Sequence, residues 1–172
     1  MPELTIRAVT TAADFPAAGL AGLLVDSVHG GASVGFLAPL SEAAALEYWD
    51  QIRTSLETVR LWVAEIDGLV VGSVQLALCT KPNGIHRAEL QKLLVHSGFR
   101  SRGIASRLMA ACEDYARSVR RTLLFLDTEA GSDAESIYQH LGWEKAGEIP
   151  YYFARPNGEL HTTAVYYKRL TP

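Results

Sequence analysis

The stretch Arg100-Ser101-Arg102-Gly103-Ile104-Ala105-Ser106 follows a run that reads as a buried strand and opens an amphipathic helix. That placement makes an anion site. The first N–H groups of a helix lack intrahelical partners and converge on one point, and the macrodipole adds partial positive charge. Gly103 lets the backbone approach an oxyanion with no side chain between. Arg100, Arg102 and Arg107 would add full charges around it. A solvated basic turn would carry the same charges; the position between strand and helix favours the ligand site. The pattern is not a Walker loop, because Gly-Lys-Ser/Thr is absent, nor a dinucleotide fingerprint, because two of the three glycines are missing. Glu89 lies on the strand before this loop and Asp127 ends the next buried strand. If those strands pair in parallel, both carboxylates approach one region and suit acid–base work. Glu89 can equally pair with Arg87 or Lys92 at the sheet surface, and Asp127 can equally cap a turn. Tyr138 sits on a short helix, where a tyrosine is more often core than catalyst. Cys112 falls on an apolar stripe and Ser101 has no partnered base, so no protein nucleophile stands out.

These residues need elements to position them. Leu4 to Val9 alternates like a strand, and Ala12 to Val28 carries Phe15, Leu20, Leu23 and Leu24 at helical spacing. Gly30, Gly31, Gly35 and Pro39 punctuate a loop with Phe36 and Leu37 at its tip, and Ser41 can cap a helix from Glu42 to about Ser55. Val59–Ile66 and Leu69–Leu78 read as a hairpin turning at Asp67-Gly68. A strand from about His86 to Val95, a helix from Ile104 to Val119 and the buried strand Leu123–Leu126 form a βαβ unit, whose strands must be parallel. Asp133–Leu141 is a helix that Gly142 can end. Trp143–Tyr152 and His161–Leu170 close the chain as an antiparallel pair. The expected class is α/β (α+β): a mixed, mostly antiparallel sheet of about seven strands with about four helices, in one domain spanning residues 1–172.

Charge points to the same ligand chemistry. Residues 81–121 hold nine Lys and Arg against three acids, so this stretch carries +6 while the rest of the chain carries −9. Such asymmetry suits an anionic ligand. Nucleic acid is disfavoured because the basic residues lack interleaved exposed aromatics and a recognition-helix pattern. Cys79 and Cys112 form no CxxC pair, and no histidine spacing completes a zinc site, so no metal is expected. The N-terminus lacks a secretory pattern and no apolar run can span a bilayer, so a cytoplasmic protein without membrane association is expected.

Arg100, Gly103 and Ala105 match the R/Q-x-x-G-x-G/A signature, and the strand Glu89–Val95, Ala134-x-x-x-Tyr138 and Leu141-Gly142-Trp143 follow in matching order. On these residues the sequence resembles the GNAT superfamily of N-acetyltransferases over essentially its whole length. His86–Leu93, Leu126–Ser132 and Gly158–Ala164 further resemble the tabtoxin-resistance acetyltransferase branch, which acetylates an amino-acid-like β-lactam toxin. The resemblance implies a GNAT-like fold, acetyl-CoA as cofactor and a small-molecule amine as acceptor. It implies Glu89 and Asp127 as the acids that accept the amine's proton, and Tyr138 as the acid that protonates the departing thiolate. Cofactor contacts would come from Leu93, Leu94, Val95 and residues 100–106. The thioester carbonyl would be polarised by the N–H of Leu94 or Val95, where the strand is expected to bulge. Phe36, Trp49, Tyr151 and Tyr152 lie on elements that line the acceptor cleft in the family. One departure stands out: many members carry Asn seven residues before the tyrosine, where this chain has Gly131. The rival readings are an acyl-CoA-sensing module without transfer and a peptide or protein N-acetyltransferase. A homodimer through the closing strands is compatible with the sequence.

Overall fold

The computed structural model describes residues 2–171. β1 (Leu4–Val9) lies antiparallel to β2 (Val59–Ile66), and β2 turns into β3 (Leu69–Leu78). Asp67 and Gly68 between them have φ of 50° and 78°, the left-handed pair that a two-residue hairpin needs. β3 pairs with β4 (Arg87–Val95), and β4 runs parallel to β5 (Leu123–Glu129). β5 pairs with β7 (Leu160–Arg169), which carries β6 (Glu144–Ala154) at the sheet edge. The seven strands therefore run in the order β1-β2-β3-β4-β5-β7-β6, and β4–β5 is the one parallel pair among the described residues. This is the sheet expected from the βαβ unit.

Four helices cover the two faces: α1 (Ala17–His29), α2 (Glu42–Arg53), α3 (Ile104–Ser118) and α4 (Asp133–His140). Ser41 caps α2 as expected, its hydroxyl accepting the Ala44 N–H at 3.1 Å. α1 starts five residues later than the periodicity suggests. Thr11 to Asp14 forms a turn, with the Asp14 N–H donating to Thr11, and Pro16 stands at the N-cap and disfavours helical backbone at Phe15 before it. α3 and α4 pack on one face with Leu76, Leu90, Leu108, Leu124 and Tyr166. α1 and α2 pack on the other with Leu24, Trp49, Leu61, Val63 and Leu94.

β4 contributes to both faces in an irregular way, and the site depends on it. Leu90 and Leu94 are four residues apart and would share a face in a regular strand, yet they belong to opposite cores. Gln75 faces Gln91 and Ser73 faces Leu94, so β4 spends one more residue than β3 over this interval. The extra residue sits where Lys92 adopts φ 48°, a left-handed bulge that shifts the alternation of every following side chain.

Candidate active site

β4 and β5 stay paired only from Arg87 to Glu89 against Leu123 to Phe125. Beyond Glu89 each follows its other neighbour, β4 along β3 and β5 along β7, and the sheet opens into a cleft of about 880 Å³. Unpaired backbone groups on the inner edges of both strands therefore face a gap that a ligand can fill.

The two acids meet at the point of divergence. Glu89 is the last paired residue of β4, opposite Phe125, and Asp127 lies two residues further along β5; both line the cleft. β5 continues to Glu129 rather than ending at Leu126, because β7 pairs with it as far as Thr163, so Asp127 caps no turn. Its Oδ2 accepts the hydroxyl of buried Thr163 at 3.2 Å. Glu89 makes no ion pair among the described residues; its Oε2 accepts Gln91 Nε2 at 3.1 Å. Burial pushes the Glu89 carboxyl above its ordinary value and the Asp127 charge adds to this, with the Gln91 hydrogen bond opposing. A carboxyl so raised is a better proton acceptor.

Tyr138 enters the cleft from α4, 7% exposed, with its ring 6.1 Å from those of Trp143 and Tyr166. Burial, and secondarily the Asp127 charge, push its phenol up to about 12. It is thus protonated at neutral pH and has a proton to give.

At the other end of β4 lies the anion loop. Gly103 stands at the N-cap of α3 with φ 73°, and Ser101 is left-handed at 60°. The first helical bond runs from Arg107 N–H to Gly103 O, so the N–H groups of Ile104, Ala105 and Ser106 have no helical acceptor, and no side chain caps them. A Cβ built on Gly103 would meet nothing within 4 Å, which leaves the approach open. The loop is anchored by Asp26 of α1, whose carboxylate accepts the Ser97 N–H at 2.8 Å and hydroxyl at 2.7 Å. Arg100 turns toward the C-terminal end of α1 near Gly30, and the Arg102 guanidinium stacks 5.0 Å from the Phe99 ring. Arg102 and Arg107 are exposed beside the helix start.

The backbone of β4 refines the expected carbonyl contact. His96 N–H donates to Val71 O at 2.8 Å, toward β3. Antiparallel alternation then places the Leu94 N–H on the β3 side, and those of Val95 and Leu93 toward the gap. Leu94 is excluded as a donor into the cleft, and its side chain is buried against α1 and α2.

The acceptor-side aromatics divide. Phe36 and Tyr152 line the cleft. Trp49 does not: it is 0% exposed inside the α1–α2 core, because its position on α2 points toward Phe15 and the sheet. Tyr151 does not either. The Pro150–Tyr152 bulge of β6, with Tyr151 at φ 55°, turns it outward to 79% exposure. The Gly30–Leu40 loop, with a cis Ala38–Pro39 peptide, crosses over the cleft. Its Ala38 N–H donates to Pro156 O in the β6–β7 turn at 3.0 Å, and Ser33 Oγ lies 3.4 Å from Glu129 Oε2. Glu129 also accepts Arg155 Nε at 2.6 Å, and His161 Nδ1 is 3.7 Å away. Sequence reasoning missed Tyr48, Lys92, Glu129 and Thr163 as lining residues. Glu129 and Thr163 follow from alternation once β5 is known to extend past Leu126. Lys92 is hidden by the bulge.

The profile of the acetyltransferase (GNAT) family matches residues 18–143. An uncharacterised N-acetyltransferase from the hisH-hisA intergenic region of Azospirillum brasilense is 30% identical over 129 residues, covering 74% of this chain and 76% of that protein. A ribosomal-protein-alanine N-acetyltransferase from Brucella melitensis superposes with a TM-score of 0.75 at 26% identity, over 96% of this chain and 99% of that one. A Salmonella typhimurium protein described as a putative acetyltransferase, solved with its cofactor acetyl-CoA, superposes with a TM-score of 0.77 at 20% identity, over 98% and 94%. The open gap between β4 and β5, its inward N–H groups and the uncapped start of α3 fit a long thioester ligand with a polyphosphate end. The chain belongs to the acetyltransferase (GNAT) family and is an N-acetyltransferase that uses acetyl-CoA.

Proposed function

We propose that the acceptor is the amine of a compact small molecule and that Glu89, Asp127 and Tyr138 carry the proton transfers. The juxtaposition of Glu89 and Asp127 at the point where β4 and β5 part, beneath the Gly30–Leu40 loop, is the observation that carries this reading. An aliphatic amine has a pKa of about 10, so it arrives as an ammonium and must lose a proton before it can attack. Glu89, raised by burial, takes that proton, and Asp127, open to the cleft, attracts the incoming ammonium. When bound, acetyl-CoA supplies an activated acyl thioester. The N–H groups of Leu93 and Val95 would hold its acyl end, the free N–H groups of residues 104–106 with Arg102 and Arg107 its phosphates, and Tyr138 Oη donates its proton to the departing sulfur.

The covering loop, tied to the β6–β7 turn, favours a compact acceptor over an extended peptide, and the tabtoxin-resistance resemblance places amino-acid-like molecules first among compact ones. An acyl-CoA sensor would have no need of two acids and a protonated phenol at one point. Thiol release from acetyl-CoA, followed against amino acids, β-lactam dipeptides, polyamines, aminoglycosides and short peptides, tests the reading. Release with a small amine supports it; release with peptides alone overturns it in favour of a protein N-acetyltransferase. Binding of acetyl-CoA without release across the panel would favour the sensor.

A further inference from the structure

Among the described residues Lys92 is the one cation that lines the cleft, and it has no counter-ion. Arg155, beside the cleft, is paired with Glu129, whereas no carboxylate or hydrogen-bond acceptor reaches Lys92 Nζ among the described residues. The β4 bulge brings its side chain to the α1–α2 side of the sheet, the side that Gln91 and Glu89 also face. There Nζ sits 5.3 Å from the centre of the Tyr48 ring on α2. A Cβ on Gly35 of the covering loop would come within 3.7 Å of it. Tyr48 is held in place by Gln75, which donates to its hydroxyl at 3.1 Å. The neighbouring charges are Glu89 and Asp127, close enough to act on Lys92 through space yet not in contact. Burial pulls the ammonium's pKa down, so the position costs free energy that the two acids offset only in part.

An ammonium with no ion-pair partner, in a cleft whose lining also holds two acids, is complementary to a molecule with separated opposite charges. On the reading that this cleft takes a small amine, we propose that Lys92 is a specificity residue that binds an anionic group of the acceptor, a carboxylate, while Glu89 and Asp127 receive its amine. The acceptor class is then an amino-carboxylate. The Tyr48 ring gives Lys92 an apolar wall that fixes its direction and contributes cation–π attraction, a weaker bond than an ion pair and one that a bound carboxylate leaves intact. Closure of the Gly30–Leu40 loop over Nζ excludes water from the new pair and strengthens it. Neither Lys92 nor Tyr48 takes part in proton transfer.

The test uses the intact protein with acetyl-CoA and matched acceptors: L-amino acids, their carboxamides, and the amines that lack the carboxylate altogether. Wild type should favour the acids in kcat/KM. Measured above the acid limb, because loss of the Lys92 charge also raises the Glu89 carboxyl, Lys92→Met should raise KM for the acids about 10- to 100-fold, with the KM for acetyl-CoA little changed, and should remove the preference over the carboxamides. Lys92→Arg should restore part of it, and equal thermal midpoints would show that the variants fold. Simple carboxylates without an amine, such as butyrate, should compete with the acceptor in wild type and not in Lys92→Met. Equal use of acids and carboxamides by wild type, or a preference that survives in Lys92→Met, overturns the assignment while the small-amine reading stands. Acetylation of peptides alone overturns that reading itself.

Discussion

Tyr138 and the two acids have opposite proton requirements within one cleft, and their surroundings set them apart. The phenol is packed between Trp143 and Tyr166 and held protonated, up to about 12, by burial. Tyr138→Phe keeps that packing and removes only the donor. It should lower kcat by about 10²- to 10⁴-fold while leaving the KM for acetyl-CoA and the thermal midpoint near wild type. An unchanged kcat would remove Tyr138 as the acid. Glu89 is raised by burial first and by the Asp127 charge in addition. Removing that neighbouring anion makes ionisation of Glu89 easier, so Asp127→Asn should move the acid limb of kcat/KM to lower pH, whatever it does to the maximum. Glu89→Gln should abolish the limb. A limb that stays in place in Asp127→Asn, or that survives in Glu89→Gln, assigns it to a different group.

The start of α3 and the bulge of β4 show what an element adds to its residues. Gly103 is left-handed at φ 73° with open space where a Cβ would stand. A side chain there costs about 1–2 kcal/mol of backbone strain and meets no clash. Gly103→Ala should therefore fold and bind acetyl-CoA with modest loss, while Gly103→Glu should fold equally well and lose binding by calorimetry, because a carboxylate would oppose phosphate at the helix start. Equal affinities in the two variants would place the phosphates elsewhere. This loop was legible in the sequence because strand, glycine and helix follow one another locally. The hairpin at Asp67-Gly68, the Ser41 cap and the βαβ unit were legible for the same reason. Lys92 and Tyr151 were not. Strand alternation assigns each to a face, and in each case a left-handed residue in a bulge reverses the assignment through pairing with a distant strand. Trp49 failed differently: helical spacing shows that α2 has an apolar face, but not that the sheet rather than the cleft receives this side chain.

At the scale of the molecule, the helix that carries Tyr138 is tied to the far half of the sheet through a carboxylate as well as by the packing of its aromatic ring. Glu135, in the first turn of α4, accepts Tyr166 Oη of β7 at 2.7 Å and the Gly131 N–H at 2.5 Å, and pairs with Lys145 of β6 at 2.9 Å. It thus joins the helix that carries Tyr138 to both closing strands. It also holds the turn at Gly131 through that N–H. The Tyr166 hydroxyl above all, with Gly131 and Lys145, holds the Glu135 carboxyl down to about 2 from an ordinary 4.5. A carboxyl depressed on folding stabilises the native state at pH above its unfolded value, and that contribution is lost as pH falls toward the folded value. Stability from this group should therefore be complete near neutrality and decline between about pH 5 and about pH 2. Urea midpoints measured across that range should fall less steeply in Glu135→Gln than in wild type, from a lower starting value at neutral pH. Lys145→Met should keep most of the slope, since Tyr166 is the larger influence, whereas Tyr166→Phe should flatten it markedly. Parallel curves for wild type and Glu135→Gln would mean that acid unfolding is governed elsewhere, and that α4 is held by the packing of Tyr138 and Trp143 rather than by its carboxylate.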